Sequence, residues 1–238
     1  MENNTSEENI EKLEVLPDDY PRYDLSFKII VIGNSGVGKS CLSIKATKNI
    51  FENNYLATVG FEFFNFNVKI NDKVIKLQIW DTCGQELYRS LITNFYRNSS
   101  LAILVYTVTD RATFDNIDLW YKELRTHSNP NVKVFLIGNK IDLEDERKIQ
   151  TEEGQKYAEQ YKIDKFFEAS AKTGINAKNI FIEAAKLLYD DYIKFHRDLD
   201  DSDNASAGSG RFSNDKVLEI NSDRSTLKNN EAKSGGCC

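Results

Sequence analysis

The run Gly33-Asn34-Ser35-Gly36-Val37-Gly38-Lys39-Ser40 follows directly on the apolar stretch at 27–32. These types at this spacing suit a phosphate-binding loop between a buried strand and a helix. Glycines let successive backbone N–H groups turn inward on α- and β-phosphates, and the helix they open points its positive end at the same anion. Gly33, Ser35, Gly36, Val37, Gly38 and Cys41 are thus the expected phosphate wall. Lys39 would neutralise β/γ-phosphate charge and Ser40 would ligate Mg²⁺. Such a loop fixes a nucleotide and leaves the base and the reaction open.

Gly138-Asn139-Lys140-Ile141-Asp142 follows a second apolar run at 132–137. That places it at the carboxyl edge of a sheet, where ligands bind. A carboxylate there accepts two hydrogen bonds, from N1–H and from the exocyclic amine of guanine; adenine offers neither donor in that arrangement. A site built to pair with a group rejects a ligand lacking it by about 10⁴–10⁵, so guanine is the expected base. Ser170-Ala171-Lys172, after Phe166-Phe167, would bring backbone N–H groups to the base carbonyl. In Trp80-Asp81-Thr82-Cys83-Gly84-Gln85-Glu86, Asp81 would hold the Mg²⁺ shell, the Gly84 N–H would sense the γ-phosphate and Gln85 would orient the attacking water. The Thr58 hydroxyl could complete the Mg²⁺ shell only with the γ-phosphate present. Two such loops, ordered with GTP and released with GDP, make a switch.

These groups need a scaffold, and the 238 residues supply one core with appendages. Residues 1–26 hold two basic against eight acidic residues and no periodicity, which reads as a disordered arm. Residues 27–195 carry twenty-three basic against twenty-one acidic, so a nucleic-acid footprint is absent. Phe64, Phe66, Val68 and Ile70 alternate with polar residues, as do Ile75, Leu77 and Ile79 beyond Asn71-Asp72: a hairpin with one wet face. Continuous apolar runs at 101–108 and 132–137 suggest parallel strands covered on both faces. A helical pattern at Phe114, Ile117, Tyr121 and Leu124 separates them. Thr151 opens another helix, and Ile180, Phe181, Ala184, Leu187 and Leu188 share a face of the last. The expected fold is α/β: a doubly wound, mostly parallel six-stranded sheet with one antiparallel edge hairpin, helices on both faces and disordered tails. Residues 196–238 read as a flexible tail.

The four cysteines, Cys41, Cys83, Cys237 and Cys238, form neither a disulfide framework nor a zinc site, which points to a reducing compartment. No stretch approaches the roughly 18 apolar residues of a membrane span, and Glu2 excludes N-myristoylation.

In this order and spacing the segments resemble the Ras superfamily of small GTPases over nearly all of residues 27–195. The Rab branch is most similar, through Val59-Gly60-Phe61-Glu62-Phe63, Lys76-Leu77-Gln78-Ile79-Trp80-Asp81-Thr82 and the terminal Cys237-Cys238. The resemblance implies slow hydrolysis of GTP to GDP and phosphate, with Lys39, Thr58 and Gln85 as the catalytic groups. It also implies that Phe51 packs on the guanine ring and Tyr55 closes over the phosphates. Expected partners are an exchange factor, an activating protein, a GDP-dissociation inhibitor, an escort protein and effectors of the GTP state. The chain would be a monomer, anchored by geranylgeranyl groups on Cys237 and Cys238. It would cycle between cytosol and the cytoplasmic face of Golgi, endosome or endoplasmic reticulum, regulating vesicle traffic. The tail holds six basic against eight acidic residues, so no basic patch can serve as the second anchoring signal and two lipids are required.

The chain departs from the family pattern at Cys83, where Ala is usual, in 85–90, which lacks the usual Arg-Phe at its third and fourth places, and at 94–98 and 106–109. These departures alter the partner-facing surface and spare the nucleotide contacts. Cys83 suits either an oxidation-sensitive switch or a small residue in place of Ala. Two other classes of function stay open here: a nucleotide-binding scaffold that no longer cycles, and a phosphate-loop kinase or ATPase. Single-turnover GTP hydrolysis separates the first; Asn139, Lys140 and Asp142 argue against the second.

Overall fold

The computed structural model describes residues 12–52, 58, 60–82 and 95–206, with side chains described through Asp198. The strands are β1 (Leu13–Leu16), β2 (Leu25–Ile32), β3 (Phe61–Ile70), β4 (Lys73–Thr82), β5 (Leu101–Thr107), β6 (Lys133–Asn139) and β7 (Lys165–Ala169). They form one sheet in the order β1-β3-β4-β2-β5-β6-β7. β2 runs parallel to β4 and β5, and β5, β6 and β7 are parallel in turn, while β1–β3 and β3–β4 are antiparallel.

Side chains alternate across a strand, so an apolar strand serves two cores at once. Ile29, Val31, Leu101, Ile103, Val105, Phe135 and Ile137 meet α1 (Lys39–Lys48) and the start of α5 (Ala177–Ser206), through Leu42, Ala46, Ile180, Phe181 and Ala184. Their neighbours Ile30, Ile32, Ala102, Leu104, Tyr106, Val134 and Leu136 face the opposite way. There they meet α2 (Arg111–Asp115), α3 (Ile117–His127) and α4 (Thr151–Gln160), through Phe114, Ile117, Trp120, Leu124 and Ala158. The pattern expected around Phe114–Leu124 thus resolves into two helices: Asp110 caps the first by accepting the Ala112 N–H at 3.0 Å, and Asn116 closes it.

Three expectations need correction. The sheet has seven strands, not six, because β1 lies within the segment read as an acidic arm through Ser26. Its register pairs Leu13 with Ile70 and Leu16 with Asn67, and Leu13 packs on the core. Four residues are too few to show a periodicity by themselves; the partner strand supplies the order. Nor is the second face of the β3–β4 hairpin simply wet. Asn67 is fully buried there, its Nδ2 donating to the carbonyls of Pro17 (2.6 Å) and Asp18 (3.2 Å). The chain then crosses to β2, with the Lys76 ammonium 5.2 Å from the Tyr23 ring and the Asp24 carboxylate accepting the Val74 N–H at 2.7 Å. Finally, the last helix continues through Ser206, so residues 196–206 of the segment read as a flexible tail are helical. Its sequence from 177 to 206 contains no glycine or proline to stop it.

Replacing Asn67 with alanine removes both bonds to the crossing segment and should destabilise the fold by about 1–2 kcal/mol. Amide exchange at Leu13–Leu16 should accelerate more than exchange in β5; equal protection in variant and parent would show that Asn67 does not hold the segment.

Candidate nucleotide-binding site

A cleft of about 490 Å³ opens at the carboxyl ends of β2, β6 and β7, a size that suits a nucleotide. It brings together Ser35, Gly36, Gly38, Lys39, Ser40, Cys41, Phe51, Thr58, Asn139, Lys140, Asp142, Ala171 and Lys172, all expected from the sequence. Gly33, Val37 and Ser170 stand behind this wall. The Val37 side chain is buried in the core and its carbonyl accepts from Asn139; Ser170, also buried, donates to Asp142. Tyr55, Gly84, Gln85, Cys83, Cys237 and Cys238 lie outside the described residues.

The phosphate loop takes its shape from what surrounds it. At Gly33, φ is 144° and a Cβ would stand 2.2 Å from the Val105 carbonyl oxygen, so the loop can leave β2 against β5 only without a side chain. At Gly38, φ is 92° and a Cβ would lie 2.5 Å from Asn139 Nδ2. Lys39 folds back over the loop, its Nζ donating to the carbonyls of Gly33 (3.0 Å) and Asn34 (2.8 Å). The Trp120 indole N–H, from α3, donates to Asn34 Oδ1 at 2.8 Å and fixes the loop from behind. Nothing near Asn34 in the sequence signals that bond, because its two ends are 86 residues apart.

The base side is as tightly tied. Asn139 Nδ2 donates to the Val37 carbonyl at 2.8 Å, and Asn139 Oδ1 accepts the Ala171 N–H at 3.2 Å. The Ser170 hydroxyl donates to Asp142 at 2.6 Å, which orients the carboxylate toward the cleft that it lines. Lys140 adopts a left-handed φ of 69° and, with Phe51, lines the same cleft. Glu52, Thr82 and Leu143 complete the wall and were not expected from the motifs. Burial pushes the half-buried Cys41 thiol up, with Asp81 adding to the effect.

Ser40, Thr58 and Asp81 converge from three separate segments. The Ser40 hydroxyl stands 2.6 Å from Thr58 Oγ1 and donates to Asp81 Oδ2. Asp81 is fully buried, its Oδ1 has no hydrogen-bond partner among the described residues, and burial pushes its carboxyl up to about 7. A cation beside that oxygen would reverse the shift and satisfy the orphaned acceptor. All donors here are hard oxygens and only one is a carboxylate, the pattern of Mg²⁺ shared with substrate phosphates. Among the described residues no cluster of three or more His, Cys, Asp or Glu side chains offers an alternative metal site.

Gly38→Ala forces a strained φ and a clash with Asn139. Nucleotide affinity should fall about 10- to 100-fold, the equivalent of 1–3 kcal/mol of backbone strain. Displacement of a fluorescent guanine nucleotide measures it, and parental affinity would show that the Gly38–Asn139 approach is not needed.

The Ras family model matches residues 28–190. "Ras-related protein RABA1b" of Arabidopsis thaliana is 42% identical over 216 residues, covering 91% of this chain and 95% of the relative. "Ras-related protein Rab11D" of Lotus japonicus is 42% identical with the same coverage. "Ras-related protein Rab-8B" of Homo sapiens is 39% identical over 186 residues, 78% of this chain and 88% of the relative. A phosphate loop, a base-recognition loop and a buried Mg²⁺-type carboxylate on this sheet agree with those matches: the chain belongs to the Ras family and is a Rab-type small GTPase, which binds GTP and GDP with Mg²⁺ and hydrolyses GTP.

Proposed function

We propose that this GTPase is a membrane-anchored switch of vesicle traffic whose GTP state is read by effectors. The observation that carries the reading is the meeting of Ser40, Thr58 and Asp81. Thr58 precedes β3 and Asp81 lies at the end of β4, so both ends of one hairpin are tied to the phosphate loop. Any change at the γ-phosphate or its metal is therefore felt by the hairpin.

The chemistry divides among the chain's own groups. Asp142 accepts from guanine, and the Ala171 and Lys172 segment faces the base carbonyl. Lys39 and the loop N–H groups hold the phosphates, and Gln85 orients water for in-line attack on the γ-phosphate. Ser40, Thr58 and Asp81 would hold Mg²⁺, which supplies neutralisation of phosphate charge when bound. Without an arginine lent by an activating protein, turnover should be on the order of 10⁻⁴ per second, as in Ras.

This hairpin carries an exposed aromatic patch. Phe61 and Phe63 are 50% and 45% exposed and surround Trp80, with ring centroids 5.6 and 5.1 Å away; Phe95 adds a fourth ring 4.8 Å from Phe61. Apolar surface of this kind, next to groups that respond to the nucleotide, suits effectors, exchange factors and activating proteins. No described helix is long and apolar enough to cross a membrane. Anchoring falls to Cys237 and Cys238, each geranylgeranylated with the help of an escort protein, and a dissociation inhibitor returns the GDP form to the cytosol. The compartment is Golgi, endosome or endoplasmic reticulum.

Single-turnover hydrolysis and imaging test the reading together. The parent should convert bound GTP to GDP slowly. Tagged Gln85→Leu should concentrate on one organelle, and Cys237→Ser with Cys238→Ser should turn it diffuse. Absence of hydrolysis would favour a nucleotide-binding scaffold, and membrane sedimentation that survives loss of both cysteines would remove the lipid anchor.

A further inference from the structure

Away from the cleft, an enclosed ion pair joins the segment after Asp142 to the end of β7, which leads into the Ser170–Ala171 turn. Arg147 donates from Nη1 to Glu168 Oε1 at 2.6 Å and from Nη2 to Oε2 at 3.2 Å, a forked pair with side chains only 9% and 16% exposed. The rest of the guanidinium is committed too, Nε to Glu144 at 2.8 Å and Nη1 to the Ile149 carbonyl at 3.1 Å. Glu168 immediately precedes the Ala169-Ser170-Ala171 turn, and its carbonyl accepts from Asn176 Nδ2 at 2.7 Å. Between Asp142 and Arg147 the chain has little slack. Leu143 N–H bonds Lys140 O at 3.0 Å, Glu146 N–H bonds Leu143 O at 3.0 Å, and Arg147 N–H bonds Glu144 O at 3.1 Å.

We infer that Arg147 and Glu168 are positioning residues for the guanine base: their forked pair locks the Asp142 loop to the Ser170–Ala171 loop and sets how long and how selectively a guanine nucleotide is held. The inference rests on Asp142 being the base acceptor. With the pair intact, Asp142 is registered from both sides, by Ser170 directly and by Arg147 through the chain of tight turns. Without it, the Ser170 hydroxyl is left as the side-chain tie to Asp142, and the two hydrogen bonds to guanine, which need one fixed carboxylate geometry, weaken together. A bidentate arginine pair suits this role because it fixes orientation as well as distance.

The test compares release of GDP and inosine diphosphate from the full chain. Inosine diphosphate lacks the exocyclic amine and so forfeits one of the two bonds to Asp142. In Glu168→Gln, GDP release should speed about tenfold and inosine diphosphate release less, so that the ratio of inosine diphosphate release to GDP release falls about threefold. The double variant Arg147→Met with Glu168→Leu fills the same space with apolar groups, which generally preserves stability; its ratio should fall too. A purely structural pair would leave the ratio at the parental value in the double variant, and that result overturns the inference. Asp142→Ala separates the premise. A ratio that collapses there but not in the pair variants removes the positioning role alone, whereas a ratio unchanged in Asp142→Ala removes the base reading with it.

Discussion

The site depends on one buried side chain. Asn139 donates to the Val37 carbonyl and accepts the Ala171 N–H, so a single amide joins the phosphate loop, the base-recognition loop and the loop after β7. It is 1% exposed, and a buried amide left with unmatched donors or acceptors costs about 1–3 kcal/mol. The three loops therefore share one low-energy arrangement. The same side chain leaves no room for a Cβ at Gly38, where a left-handed φ already favours glycine. The glycine pattern of the phosphate loop thus answers to an asparagine more than a hundred residues away as much as to the phosphates.

The sheet makes that junction possible. Parallel pairing puts the carboxyl ends of β2, β6 and β7 on one edge, and the segments that follow them line the cleft. The β3–β4 hairpin reaches the same edge from the other side, bringing Asp81 to Ser40. The buried carboxylate and an exposed aromatic patch become neighbours as a result. Trp80 adjoins the buried carboxylate in sequence and forms the centre of the exposed aromatic patch. The N-terminal segment covers part of the hairpin's polar face near Asn67 and Lys76.

Much of this was legible in the sequence because it is local. The phosphate loop, Asn139 to Asp142 and the Ser170 turn each follow an apolar strand, and strand followed by glycine or polar loop is a short-range signal. Alternation at Phe64 to Ile79 marked the hairpin for the same reason. What was missed is long-range. β1 is ordered by β3, the Asn34–Trp120 bond joins distant segments, and Arg147 finds Glu168 only after β6 and β7 have paired. The tail was read from 196 because the apolar stripe of the last helix fades there before its backbone stops; a helix needs only the absence of a breaker to continue once its first turns are packed.

The most direct test of the central claim is the release rate of a fluorescent GDP from Asn139→Ala, measured beside the parent at saturating Mg²⁺. Loss of both amide bonds should speed release about 30- to 100-fold, the equivalent of 2–3 kcal/mol. A parental release rate in a variant that remains folded would contradict the account, since the three loops would then hold their nucleotide without the side chain said to join them.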